Sequence, residues 1–124
     1  VDDGLDPVEA GSVEILTRAE QDAVVLAVRG EVDSQTIPAL SAAVTDAISR
    51  TGVRCVILDL DQVAFFGSAG IAFLTQTNAE ARGHQVELRL VAGEATRVYR
   101  VLEMMGLTRL LAIFPTIAGA LRGR

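Results

Sequence analysis

Ser68 is the side chain whose setting most invites chemistry: it stands in Gly67-Ser68-Ala69-Gly70, between an apolar run and a segment of helical period. As a helix N-cap, its hydroxyl would accept from the free N–H groups of the first turn. The positive end of that helix would also favour an anion such as phosphate beside it. As a hydrolytic nucleophile Ser68 is poorly equipped. The G-x-S-x-G elbow needs a glycine where this chain has Phe66. The single histidine, His84, follows Gly83 in a polar turn, a poor place for a buried base. A small serine hydrolase stands only as a remote alternative, and the chain is not expected to be an enzyme.

Other reactive side chains lead less far. Asp59 and Asp61 close an apolar strand much as a phosphoacceptor aspartate does, but that chemistry also requires an acidic pair for magnesium and a lysine. Apart from His84, every basic residue is arginine, which also removes a Walker lysine, a Schiff-base lysine and a Ser–Lys pair. Asp59 and Asp61 then read as solvated residues at a strand end. One cysteine and one histidine, far apart in sequence, make no ligand cluster, so no metal or cofactor is expected. Cys55 lies inside an apolar run and reads as a buried structural thiol. Alone, it allows no internal disulfide and suits a reducing compartment.

Composition narrows the partners. The formal net charge of −5 argues against nucleic acid, because phosphate backbones select basic surfaces. The longest apolar runs fall short of a membrane span. The acidic start (Asp2, Asp3, Asp6, Glu9) lacks the basic residues of a signal peptide. A soluble, cytoplasmic chain is expected, with no membrane association.

The elements that must position these residues can be read from hydrophobic period. A length of 124 residues fits one domain. Residues 1–11 are polar and aperiodic and read as a flexible acidic tail; residues 12–124 form the domain. Ser12–Ala19 suits an edge strand, joined by the short Glu20-Gln21-Asp22 turn to the β-branched run Ala23–Val28. A polar loop is expected over Gly30–Gln35. Thr36 then caps a helix with Pro38 in its first turn and Leu40, Val44, Ala47 and Ile48 on its buried face. Gly52 stops that helix before the strand Val53–Leu60. A second helix is expected over Ala69–Arg82, with Ser68 as its cap and Gly83 as its stop. A strand around Val86–Leu90 comes next, then a helix over about Ala95–Met105 burying Val98, Val101, Leu102 and Met105. Gly106 ends it, with Leu107 covering the cap. A short strand (Leu110–Phe114) and a terminal helix (Thr116–Leu121) complete the order ββαβαβαβα. That order predicts a single α/β domain: a mostly parallel sheet of about five strands with about four helices, and right-handed crossovers.

Two loops then fall at the carboxyl edge of the parallel strands, where open α/β folds place functional loops. One carries Asp33 and Ser34, the other Gly67 and Ser68. Asp33 reads as part of a partner surface rather than a folding residue, although a loop acid also suits a cap.

At these residues the chain resembles the STAS domain family, which includes anti-sigma factor antagonists and the tails of sulphate transporters. Three stretches carry the resemblance: Val28-Arg29-Gly30-Glu31-Val32-Asp33; Val56–Asp61 followed by Phe65-Phe66-Gly67-Ser68-Ala69-Gly70; and Met104-Met105-Gly106-Leu107 with Phe114-Pro115-Thr116. Together they cover about residues 12 to 122. The resemblance implies a STAS-like fold and an anti-sigma factor antagonist that binds an anti-sigma factor acting as an ATP-dependent serine kinase, so freeing a sigma factor. Ser68 becomes the phosphorylated serine, Gly70 a tight-turn glycine and Asp33 the loop acid near the acceptor. The implied partner surface is Asp33, Ser34, Gly67, Ser68, Ala69 and Gly70, on a monomer or weak homodimer. In one respect the chain departs from the family pattern: Gly67 stands where an acid usually precedes the serine. The alternative within the family is therefore a constitutive binding subunit, such as a transporter or lipid-trafficking component, that is not phosphorylated.

Overall fold

The computed structural model describes residues 12–123; the N-terminal tail expected over residues 1–11 lies outside them. Among the described residues the order is β1 (Val13–Glu20), β2 (Ala23–Val32), α1 (Ile37–Ile48), β3 (Cys55–Phe66), α2 (Ser68–Gly83), β4 (Glu87–Val91), α3 (Arg97–Met104), β5 (Ala112–Phe114) and α4 (Ile117–Arg122). Every element type expected from the sequence is present, in the expected order. The strands lie side by side in chain order, β1-β2-β3-β4-β5. Only the β1–β2 pair, joined through Gln21 and Asp22, is antiparallel; the remaining pairs are parallel.

This order fixes how the faces are covered. Right-handed crossovers between successive neighbours place each crossover helix on the same side of the sheet. The main core lies there: Leu26, Val56, Leu58 and Leu90 of the strands meet Leu40 and Val44 of α1, Phe73 and Leu74 of α2, and Val98 and Leu102 of α3. The opposite face receives only α4, which sits through Ala120, Ile117 and Leu121 on Ala23, Val25, Cys55, Ile57 and Val91. Away from α4 that face stays open, and Leu16 is 56% exposed.

Several boundaries differ from the sequence reading. Gly30–Val32, expected in a loop, belongs to β2, and β3 runs on through Asp61 to Phe66. The two extensions pair with each other, Arg29 with Gln62 and Val32 with Phe66, across two register shifts. Gly30 makes the first extension possible. Its φ of +104° suits glycine alone, and a Cβ there would collide with the Ser12 carbonyl. Asp59 and Asp61 are therefore within a strand, not at its end. The Asp61 Oδ1 accepts from Gly93 N at 2.9 Å, tying the loop after β4 to β3. In α3, Met105 is not buried but 58% exposed, because the helix ends at Met104 and the chain reverses through Gly106 at φ +71°. Val101 is partly buried, and Leu107 N closes the helix end on the Leu102 carbonyl at 2.8 Å. The last strand starts at Ala112 rather than Leu110, which is exposed.

Candidate functional site

β2 and β3 end together, and one hydrogen bond couples the two loops that leave them. Gly67 N donates to the Val32 carbonyl at 3.2 Å, which closes the ladder between the strands. The Gly67 carbonyl in turn accepts from Gly70 N at 2.9 Å, which starts α2. The residue that ends the strand thus also begins the helix, and it is Gly67, extended at φ −101° and ψ −172°, that occupies the N-cap position. Ser68 is displaced into the helix as its first residue. The expected Ser68 cap is corrected accordingly: the ladder bond fixes the cap one residue earlier. Ser68 is exposed, at the positive end of a 16-residue helix, where a negative group is stabilised.

Gly70 also takes a different part from a turn glycine. It is the third residue of α2 and is buried; a Cβ there would stand 2.6 Å from the Phe66 ring. Its bare backbone lets that ring, only 5% exposed, pack beneath the first helical turn. Ala69 is half-buried beside it.

Asp33 comes directly after Val32, so the same ladder bond draws its loop against Gly67. Its carboxylate is turned into its own loop: Oδ1 accepts from Gln35 N at 2.9 Å and from Thr36 N at 3.0 Å. These bonds close the turn that leads into α1, whose N-cap position is held by Thr36. Thr36 is buried and makes no cap bond to the helix. Its hydroxyl instead donates to the Glu31 carbonyl at 2.7 Å and accepts from Asp33 N at 3.0 Å. Thr36 is thus the hidden clamp of this loop, and a hydroxyl directly before Ile37-Pro38 was the sequence signal for it. The bonds that Asp33 accepts give it the loop-shaping part that its sequence position also suited. Ser34 lies exposed at the tip.

The remaining candidates are held apart from this edge. His84 ends α2 at the opposite pole, about 24 Å from Ser68 at 1.5 Å per helical residue, so the two cannot form a dyad. Cys55 is buried under α4 at the start of β3, and burial pushes its thiol up to about 11. Burial likewise raises the Asp59 carboxyl, opposed by a backbone hydrogen bond from Asp61. No three His, Cys, Asp or Glu side chains converge as metal ligands among the described residues.

Residues 14–120 match the STAS domain family. The chain belongs to this family. Among relatives of this STAS domain, the anti-sigma-F factor antagonist RsfB of Mycobacterium tuberculosis is 34% identical over 113 residues, covering 90% of this chain and 89% of that protein. A crystal structure of an anti-sigma factor antagonist from Mycobacterium paratuberculosis superposes with a TM-score of 0.78 at 31% identity, over 89% of this chain and 92% of that one. The unphosphorylated form of the anti-sigma factor antagonist SpoIIAA shares the fold, with a TM-score of 0.70 at 19% identity over 90% of this chain and 98% of its own. No helix of the described residues is long and apolar enough to cross a membrane.

Proposed function

We propose that this STAS domain is an anti-sigma factor antagonist. It binds a kinase-type anti-sigma factor through the carboxyl edge of its sheet and is released when Ser68 is phosphorylated. The observation that carries the reading is the placement of Ser68: an exposed hydroxyl, free of capping duty, on the first turn of α2, in a chain 34% identical to RsfB over nearly its whole length. The partner surface is Asp33, Ser34, Gly67, Ser68, Ala69 and Gly70. The chain acts by binding, in the cytoplasm, and performs no catalysis of its own.

The physics of such a switch is local. A phosphate on Ser68 adds a charge of about −1.5 to −2 where the N-terminus of α2 tolerates it, so the fold persists. Toward a partner carboxylate about 5 Å away, at an effective dielectric near 20, each unit of charge costs about 3 kcal/mol, roughly a hundredfold in affinity. Gly67 favours a second reading, a constitutive binder, since it leaves no carboxylate directly before the acceptor.

The test titrates the purified chain against the ATPase-type anti-sigma factors of its source organism, with intact mass measured after addition of ATP. The expected result is one binding partner and one added phosphate, lost in Ser68→Ala. Binding without phosphate transfer selects the constitutive reading, and a chain that binds none of these proteins is not an anti-sigma factor antagonist.

A further inference from the structure

Phe65 is 47% exposed, next to a Phe66 that is almost wholly buried. Alternation along β3 turns the two rings to opposite faces of the sheet: Phe66 enters the main core, and Phe65 faces the side that α4 leaves open. Phe65 is level with Glu31 on the neighbouring strand and three residues before Ser68. An aromatic ring is thus presented beside the serine edge, level with Glu31, whose carboxylate accepts from Ser12 N at 2.9 Å.

Gly67 shows that the ring has a seat. Its φ of −101° lies in a region open to any residue, so the backbone does not call for glycine there. Space does. A Cβ on Gly67 would approach Phe65 Cε2 to 3.1 Å and Cζ to 3.2 Å, closer than the ring accepts without moving. The bare residue before Ser68 therefore lets the Phe65 ring lie against the backbone with its outer side in solvent.

We propose that Phe65, seated on Gly67, is the apolar anchor of the docking edge and sets its specificity for a partner whose surface offers an apolar pocket rimmed by basic side chains. The proposal rests on the anti-sigma factor reading and names what that partner must present. Aromatic side chains that a partner buries carry a large share of binding energy, and Glu31, level with the ring, favours a positive rim. Gly67 thereby exchanges a side chain next to Ser68 for an uncovered ring. Recognition on that side of the serine is apolar.

The test measures the affinity of the anti-sigma factor that binds the wild-type chain for Phe65→Ala, Phe65→Leu, Gly67→Ala and the Phe65→Ala/Gly67→Ala double variant. Phe65→Ala is expected to weaken binding about tenfold or more, with melting temperature within about 2 °C of wild type, as for other exposed positions. Phe65→Leu should lose less. Gly67→Ala should weaken binding several-fold in the wild-type background and add nothing in the Phe65→Ala background, because its effect passes through the ring. Affinity of Phe65→Ala within twofold of wild type overturns the proposal while leaving the anti-sigma reading intact. Equal losses from Gly67→Ala in both backgrounds overturn the seat. A wild-type dimer that Phe65→Ala converts to monomer without changing partner affinity assigns the ring to a second copy of this chain. If wild type binds no anti-sigma factor, both readings fall.

Discussion

At the amino ends of β2, β3 and β4 the surface is a groove of about 880 Å³, whose lining includes Arg54, Arg82, Arg89 and Arg122 with Asp22 and Glu87. At the carboxyl ends of β2 and β3, Ser68, Ser34 and Phe65 stand in solvent instead. Concavity and charge would draw the eye to the groove, yet three of these arginines serve the fold. Arg89 donates to the Ala120 carbonyl at 2.6 Å and to Glu87 at 2.8 Å, fastening α4 to β4. Arg82 and Arg122 occupy the last turns of α2 and α4, where positive charge meets the negative helix end. Ser68, Ser34 and Phe65 are spared such duties. The contrast teaches that, in this molecule, side chains available for recognition are those the fold does not employ; Asp33, which closes the turn before α1 and borders the serine, is the one that straddles both.

The strongest way to break the comparison is to charge the serine. Ser68→Asp should leave the melting temperature unchanged or slightly raised and lower anti-sigma factor affinity; enzymatic phosphorylation should lower it further, by about a hundredfold per unit charge for a carboxylate at about 5 Å. Titration calorimetry reads both. Unimpaired binding by Ser68→Asp, together with a Ser68 that the kinase leaves unmodified, would remove the switch and leave a constitutive binder. Ser68→Ala, which loses no cap bond, should change stability by less than about 0.5 kcal/mol.

Next in size is Gly70→Ala, which drives a Cβ into the Phe66 ring and should cost about 1–3 kcal/mol in denaturant unfolding, as overpacking does. A neutral result would mean that the serine edge is softer than its packing indicates. Asp33→Ala should cost about 0.5–2 kcal/mol through loss of its two turn hydrogen bonds, and partner affinity should fall as well; Asp33→Asn, which keeps an oxygen acceptor, separates the two by restoring more of the stability than of the charge-dependent binding.

At the amino edge, Cys55 offers a different readout. Its thiol keeps its proton up to about 11 when folded, against an ordinary value of 9.0. The folded state therefore holds a proton that the unfolded chain has released. This contribution to stability is complete below about pH 9 and is lost as pH rises through about 11. Urea unfolding across that range should show the decline, with a shallower slope in Cys55→Ala, and the native thiol should resist alkylation until the chain is denatured. The smallest effect expected is that of Arg54→Ala, which should leave partner affinity within about twofold; a larger loss would extend docking to the groove.

Hydrophobic runs and helix periods make the order of elements, the parallel sheet and the core of α1 legible in the sequence. The carboxyl-edge loops that carry Asp33 and Ser68 were legible in the same way. The features that escaped were set by contacts between residues distant in sequence. Arg29, Gly30 and Glu31 look like loop residues until Gln62–Phe66 pairs with them, and that pairing exists only because Gly30 accepts a positive φ. The cap of α2 moved from Ser68 to Gly67 for the same reason, since the deciding bond comes from Val32, thirty-five residues earlier in the chain. Met105 was misread because helical spacing cannot reveal where a helix stops. Nothing local distinguishes Phe65 from Phe66 either; only the ladder decides which ring enters the core.

Strands that neighbour one another in space as they do in sequence have a further consequence, for the chain's own synthesis. Each βα unit can settle on the one made before it, so the sheet can grow in the direction of translation and no strand has to be inserted between two already paired. The exception comes last. Until β5 and α4 emerge, β4 offers an unpaired edge and Val25, Ile57 and Val91 face water, so the nascent domain is nearly built and yet adhesive. Closure then depends on β5 and α4 and on Arg89, the latch that receives α4. A chain cut short after α3 would be the form that chaperones and proteases recognise.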